Sequence, residues 1–513
     1  MDVTSLMRRS ALLHAGHPAV IHRDRAVPFA EAWDRAVRVA NGLLALGLRP
    51  GDRIGVLETN SLGAADLFAG AAVAGLVRVP LYPRNARASH VHMLGHTGCR
   101  AVVVSDALAG ELDDVGTEVP TIEHVLVRDG GYEDWLRAQS ADDPLVPVAA
   151  DDLFVIRHTG GTTGLPKGVA YSHRSWLAAG RDWFYLFPPM TVGDRCMHVG
   201  PISHGSGYFF VPTWLHGGCN VLLDAFDAGE VLALIERERI AYGFMVPTML
   251  NALVHHPAAA GTDLSSIRCL QIGGAPISDE TALRAHRLLG DVLWQGYGQT
   301  EAVPVTMMGP HEWFADVPGS EPLRSCGRPL PFADIEIRDL DTGAAVPLGG
   351  AGEITVRCDG QMTAFWDDPE ATAERMVDGW VRTGDVGRID ANGYVYVLDR
   401  ANDLIISGGF NIYPAEIENA AASVPGVIEA AAFGIPDDRW GETPCVVCSV
   451  APGSMVTEEQ VRARCAELLG SYKRPGRVVL TTEALPKSAV GKLARKALRE
   501  PFWAGHDRRV AGS

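Results

Sequence analysis

The strongest constraint on the fold is an alternation of short apolar runs with helical stripes near the start of the chain. Arg53–Leu57, Val77–Leu81, Ala101–Ser105 and His124–Val127 read as buried strands, and Gly63–Ala74 and Ala88–Thr97 between them as helices. Before them Phe29, Trp33, Val37, Ala40 and Leu44 recur at helical spacing until Gly47 and the Pro50-Gly51 turn stop the stripe. Strand and helix in alternation imply a parallel sheet covered on both faces. A chain of 513 residues holds about three such folding units.

Beyond about Pro322 the texture changes. Asp334–Arg338, Gly352–Arg357 and Gly393–Asp399 alternate like antiparallel strands joined by turns. After Arg400 it changes again, to helices over Pro414–Ser423 and Thr457–Leu469 and strands over Val427–Gly434 and Cys445–Val450. The expected fold class is α/β: a large N-terminal domain of doubly covered sheets over residues 1–400, a small β-barrel-like subdomain within it at about 322–400, and a small α+β C-terminal domain over residues 401–513. No internal repeat interrupts this division.

Composition narrows the function. Lys and Arg number 45 against 62 Asp and Glu, a net charge of −17 that offers no long-range attraction to nucleic acid or an anionic bilayer. Any anionic ligand needs a local constellation. The nine cysteines are odd in number and scattered, which predicts reduced, buried thiols. The N-terminal residues lack a signal-peptide core, and the longest uncharged stretch, His198–Leu223, is broken by five glycines and two prolines. The expectation is a cytoplasmic protein without a membrane span, monomeric or homodimeric.

The most telling segment follows the run Leu153–Ile156. Thr159-Gly160-Gly161-Thr162-Thr163-Gly164-Leu165-Pro166-Lys167-Gly168 places glycines, hydroxyls and a lysine in ten residues. Glycines let backbone N–H groups approach an anion, threonines add donors, and Lys167 adds a mobile charge. This predicts a phosphate cradle, with a flexible loop between sheet and helix as the plain alternative. It is not the P-loop of nucleoside triphosphatases, because Pro166 precedes the lysine and Gly168 follows it. A magnesium ligand must come from elsewhere.

At this loop the chain resembles the adenylate-forming superfamily of acyl-CoA synthetases, non-ribosomal peptide adenylation domains and luciferases. The resemblance continues in order through Gly273-Gly274-Ala275-Pro276, Tyr297-Gly298-Gln299-Thr300-Glu301, the Trp380–Asp385 segment, Asp399–Glu418 and Leu485–Lys492, and so spans about residues 29–499. In the Tyr297–Glu301 segment, the Thr300 hydroxyl can donate to a phosphate, and Glu301 is a hard oxygen ligand for Mg²⁺; a helix N-cap with an acidic first turn is the alternative. Asp385 can accept from both ribose hydroxyls, with Arg400 as a cationic donor. The resemblance implies that these two contact the nucleotide sugar, that Gly273–Pro276 line the adenine pocket, and that Gln295, Gly296, Tyr297 and Gly298 belong to the ATP/AMP site.

Lys492 falls in a stretch, Ser471–Arg499, with eight basic residues and only Glu483 acidic, where a polyanion would go. The resemblance implies that Lys492 stabilises charge between the attacking carboxylate and the α-phosphate. It also implies a mobile C-terminal lid that swings between half-reactions, with Gly408, Gly409 and Phe410 lining the thiol tunnel. The hinge position, usually Asp or Lys in the family, is Asn402 here. Gly160 stands where the family has serine and His158 where it has an aromatic, which predicts weaker phosphate binding.

The implied activity is ATP-dependent ligation. A fatty or aromatic carboxylic acid is activated as acyl-adenylate with release of pyrophosphate, then passed to coenzyme A with release of AMP. His204 matches a histidine that sits beside the carboxylate in acyl- and aryl-CoA ligases, and Tyr208, Phe209 and Phe210 could wall the acyl group, with Gly274 and Gly298 keeping the slot narrow. Trp440, Lys473 and Arg474 are candidates for holding coenzyme A. The nearest alternative is a free-standing adenylation enzyme that loads an acyl carrier protein; a luciferase-like oxygenase and a non-catalytic nucleotide binder are more distant. His90, His92 and His96 share metal-like spacing without a fourth partner, and Cys445 and Cys448, three apart on a strand, face opposite sides; both sets are expected to be packing residues.

Overall fold

The structure, a computed structural model, describes residues 1–159, 166–340, 342–400, 403, 405–407, 410–437, 440–470, 473–487 and 493–504. The alternating N-terminal region forms a seven-stranded sheet, in the order Ala364–Phe365, Lys167–Ser172, Leu153–Thr159, Val77–Pro80, Arg53–Leu57, Ala101–Ser105 and His124–Arg128. The five strands from Leu153–Thr159 to His124–Arg128 are parallel, as the alternation requires, and Lys167–Ser172 and Ala364–Phe365 add antiparallel strands at one side. A second, nine-stranded sheet is parallel through Pro18–His22, Cys219–Leu222, Arg195–His198, Tyr242–Met245, Cys269–Gly273 and Leu293–Gln299.

The helix Leu62–Val73 packs against strands of both sheets and is buried at every position from Gly63 to Val73. That accounts for its composition: a helix apolar on all sides belongs inside a core. Ser61 caps it by accepting from the Ala64 N–H. Its one charge, Asp66, accepts two hydrogen bonds from the Arg35 guanidinium at 2.7 and 2.9 Å. The same interior holds stacked aromatics, Phe68 on Phe210 at 4.6 Å and Trp176 on Tyr208 at 4.7 Å between ring centroids.

The third sheet is five-stranded and antiparallel, from Ala333–Arg338, Gly352–Cys358, Met376–Val377, Trp380–Ile389 and Val395–Arg400. It realises the expected β-rich region and adds the long strand Trp380–Ile389, which the turn-like Thr-Gly pair within it conceals in sequence. The fourth sheet pairs Val427–Asp437 with Gly441–Val450, and the helices Pro414–Ala422 and Glu458–Leu469 accompany it. Cys445 and Cys448 enter different apolar clusters, as their spacing on one strand requires. All nine cysteines are buried and free.

Candidate active site

The segment read as a phosphate cradle is flanked by strands on both sides. The strand Leu153–Thr159 runs on to Thr159, and Lys167 begins the antiparallel strand Lys167–Ser172, with Thr159 and Lys167 paired. The segment therefore joins two paired strands, which sets aside the alternative of a link from sheet to helix. Gly160, Gly161, Thr162, Thr163 and Gly164 lie outside the described residues. At its base Lys167 is exposed, 3.3 Å from Asp368. Asp368 caps the helix Pro369–Arg375, and its carboxyl is held below the usual range by the Ala371 N–H, with Lys167 adding to the effect.

His158 belongs to the strand, not to the head of the loop, and is 2% exposed. Burial, with His96 and His92 nearby, pushes its pKa down to about 3, so the ring is neutral. His96 Nδ1 lies 3.4 Å from His158 Nε2, His92 meets the Pro166 carbonyl, and His90 the Tyr82 carbonyl. These histidines are packing groups. Among the described residues no cluster of three or more His, Cys, Asp or Glu could hold a metal.

The Tyr297–Glu301 segment forms a hairpin tip, between Leu293–Gln299 and Ala302–Met308, so the helix N-cap alternative is excluded. Tyr171 Oη donates to the Thr300 carbonyl at 2.6 Å, tying this tip to the strand Lys167–Ser172. Its glycines have local reasons. A Cβ on Gly298 would meet Val303 at 2.8 Å, and one on Gly273 would meet the Gly296 carbonyl at 2.9 Å. Gly274 follows the strand at φ +84°, a conformation that favours glycine, with Ala275 and Pro276 continuing the turn. Gln295 Oε1 is buried without a hydrogen-bond partner.

Asp385 is 3% exposed and reaches this tip from Trp380–Ile389. Its Oδ2 accepts from Tyr297 Oη at 2.6 Å and from the Gln299 side-chain amide. Gln299 is anchored in turn, donating to the Thr383 carbonyl at 2.8 Å. Arg400 is the partner of Asp385 across the antiparallel ladder, which brings the two sequence-distant positions together; its side chain lies outside the description. Glu301 is 7% exposed, and Arg375 Nη2 donates to its Oε1 at 3.2 Å. The same Arg375 nitrogen lies 3.4 Å from Gln299 Oε1. Sequence reasoning missed Arg375 and Gln299, because their significance comes from distant partners and no spacing encodes it.

A lone carboxylate beside a hydroxyl suits Mg²⁺ that completes its shell with substrate phosphates, and Glu301 with Thr300 is such a pair. His204 is half-buried, its Nδ1 3.2 Å from Arg157 Nη2 and its ring edge-on to Tyr82 at 5.3 Å. Tyr208, Phe209 and Phe210 are all buried; Phe209 and Phe210 pack into the aromatic core, and Tyr208 lies against Arg157.

The basic C-terminal stretch is less open than its sequence predicts. Lys473 pairs with Glu416 at 2.6 Å, Lys487 with Glu429 at 3.2 Å, Arg495 with Glu418 at 2.6 Å and Arg499 with Asp403 at 3.3 Å. Carboxylates of the same unit thus neutralise much of it. Trp440 and Arg474 are exposed. Lys492, Asn402, Gly408 and Gly409 lie outside the described residues, and only the backbone of Phe410 is described. No helix among the described residues is long and apolar enough to cross a membrane.

Comparison with known proteins agrees with this geometry. The AMP-binding enzyme family matches residues 7–366, and the AMP-binding enzyme C-terminal domain matches residues 416–492. A feruloyl-CoA synthase from Amycolatopsis sp is 36% identical over 96% of this chain and 98% of its own. The fatty acid–[acyl-carrier-protein] ligase ScoC from Streptomyces coeruleorubidus is 32% identical over 97% of this chain and 96% of its own. ATP-bound MatB from Rhodopseudomonas palustris superimposes with a TM-score of 0.89 at 29% identity, covering 99% of this chain and 100% of that one. With Asp385 and Glu301 buried at one hairpin tip and both family domains in order, the chain belongs to the AMP-binding enzymes of the adenylate-forming superfamily.

Proposed function

We propose that the protein is an AMP-forming ligase that joins a carboxylic acid to the thiol of coenzyme A at the expense of ATP. In the first half-reaction a carboxylate oxygen attacks the α-phosphorus, the bond to the β-phosphate oxygen breaks, and pyrophosphate leaves. In the second, the thiol gives up its proton to solvent, its sulfur attacks the acyl carbon, and AMP departs with the electron pair of the broken acyl–oxygen bond. The acid needs the first step because carboxylate oxygen is a poor leaving group, whereas the phosphate of a mixed anhydride is a good one.

Asp385, oriented by Tyr297 and Gln299, is the acceptor for the ribose hydroxyls. Thr159, Lys167 and the loop between them hold the triphosphate, and Thr300 donates to it. Glu301 would hold Mg²⁺, which would neutralise phosphate charge, and Arg375 fixes the carboxylate for that task. His204 lies beside the reacting carboxylate, and Lys492 supplies positive charge as the bond to phosphorus forms. The C-terminal unit, residues 401–513, swings about Asn402 so that Gly408, Gly409 and Phe410 replace Lys492 over the adenylate.

The single observation that carries this reading is the convergence of Asp385 and Glu301, both buried, on one hairpin tip. A second reading, transfer to a carrier-protein thiol, is favoured by the similarity to the acyl-carrier-protein ligase. Pyrophosphate release is measured across fatty, cinnamic, benzoic and amino acids, with and without coenzyme A. We expect acid-dependent release and a thioester with coenzyme A; adenylate that persists despite coenzyme A supports the carrier reading, and absence of acid-dependent release overturns both.

A further inference from the structure

Two arginines, Arg157 and Arg78, stand in the interior behind His204. Arg157 is 1% exposed and Arg78 is 4% exposed. Arg78 pairs with Val155 across the parallel ladder, and Arg157 is two residues beyond Val155, so both guanidiniums project from the same face of the sheet. Arg157 Nε and Nη1 and Arg78 Nε are buried without a hydrogen-bond partner. Arg157 Nη2 reaches His204 Nδ1 at 3.2 Å, the guanidinium lies 4.6 Å from the Tyr208 ring centroid, and Arg78 lies 3.6 Å from that of Phe68.

Among the described residues no carboxylate pairs with either arginine. The nearby phenols of Tyr82, Tyr171 and Tyr208 are held neutral, since burial raises each pKa, and so provide dipoles but no counter-charge. Burial, with the neighbouring Arg157 charge, pushes Arg78 down to about 9, which still leaves it protonated at neutral pH. Elsewhere the interior does compensate its charges: Arg35 has Asp66 and Glu133, and Glu58 has Arg128. A buried charge without a counter-charge is costly, so two positively charged groups lacking one mark a place built to receive an anion.

We infer that Arg157, backed by Arg78, binds a second carboxylate of the substrate, so that the enzyme activates diacids. This rests on the ligase reading above and deepens it. The reacting carboxylate fits the arginines less well, because adenylation removes its charge. Strong pairing with it would stabilise the ground state against the transition state and strand the guanidiniums afterwards. A second carboxylate keeps its charge through both half-reactions. His204 is half-buried and meets Arg157 Nη2 at 3.2 Å, so an acid whose reacting carboxylate lies beside His204, as proposed above, would carry its second carboxylate towards the arginines.

The test compares malonate, succinate, glutarate, adipate and the three phthalates with the matching monoacids, in wild type and in Arg157→Met and Arg157→Lys variants. Two readouts are used: acid-dependent pyrophosphate release, and thermal shift with acid alone. At least one diacid should exceed its monoacid by about 100-fold in kcat/KM and raise the melting temperature without ATP. Arg157→Met should collapse that ratio, Arg157→Lys should restore part of it, and the ligand-free Met variant should melt no lower than wild type because an uncompensated charge has gone. Monoacids that are turned over as well as every diacid overturn the diacid assignment and leave the ligase intact. If no acid supports pyrophosphate release, the ligase reading fails, and the thermal shift alone decides: a shift lost in Arg157→Met upholds the anion site, and no shift with any diacid refutes it.

Discussion

Asp385 illustrates how single residues are prepared for their task. Tyr297 and Gln299 fix its carboxylate while Thr383 holds Gln299, so its orientation is set before a nucleotide arrives. Asp385→Asn should lower kcat/KM for ATP by about 100-fold, and Tyr297→Phe, which leaves the second donor, by about 10-fold; both are read from pyrophosphate exchange at varied ATP. His198 bears on stability. It is fully buried between Ser206 and Asn220, each at 2.8 Å, and burial lowers its pKa to about 4. Because the unfolded chain takes up this proton near pH 6.5, the stability from a neutral ring is complete above that pH and declines as pH falls towards 4. The drop in melting temperature between pH 6.5 and 5 should therefore be shallower in His198→Gln than in wild type, although that variant starts lower.

At the scale of elements, the segment before the helix Gly207–Leu215 is packed too tightly for any side chain at its first residue. A Cβ on Gly207 would lie 2.1 Å from the Ile202 carbonyl oxygen. Gly207→Ala should cost about 1–3 kcal/mol by denaturant titration, with activity falling as His204 shifts. Elements defined by their own residues were legible in the sequence: Arg53–Leu57, Ala101–Ser105 and the helix starting at Pro414 agree with the structure to within a residue or two. The two strands are apolar runs, and the helix opens on a proline that suits its first turn. The apolar run Leu153–Ile156 stops before Arg157, whereas the strand continues through that buried arginine to Thr159. A charge within a core strand is a break in pattern, and only the tertiary structure shows what it faces. The candidate site was legible where residues stand close in sequence, as in Thr300-Glu301, and not where contacts are distant, as between Arg375 and Glu301.

Over the whole molecule, the account needs two units that work in turn on one crevice. The first unit presents Asp385, Glu301 and Thr300 together, whereas the residue proposed to complete adenylation, Lys492, comes from the C-terminal unit. The ion pairs of Lys473, Lys487, Arg495 and Arg499 hold that unit together internally. If the halves of the reaction use different faces of the C-terminal unit, they should be separable by one substitution. The decisive measurement is Lys492→Ala assayed in each half-reaction, with acid plus ATP for adenylation and with supplied acyl-adenylate plus coenzyme A for thioester formation. Adenylation should fall by about 100-fold or more while thioester formation stays near wild type; equal loss of both, or of neither, contradicts the account.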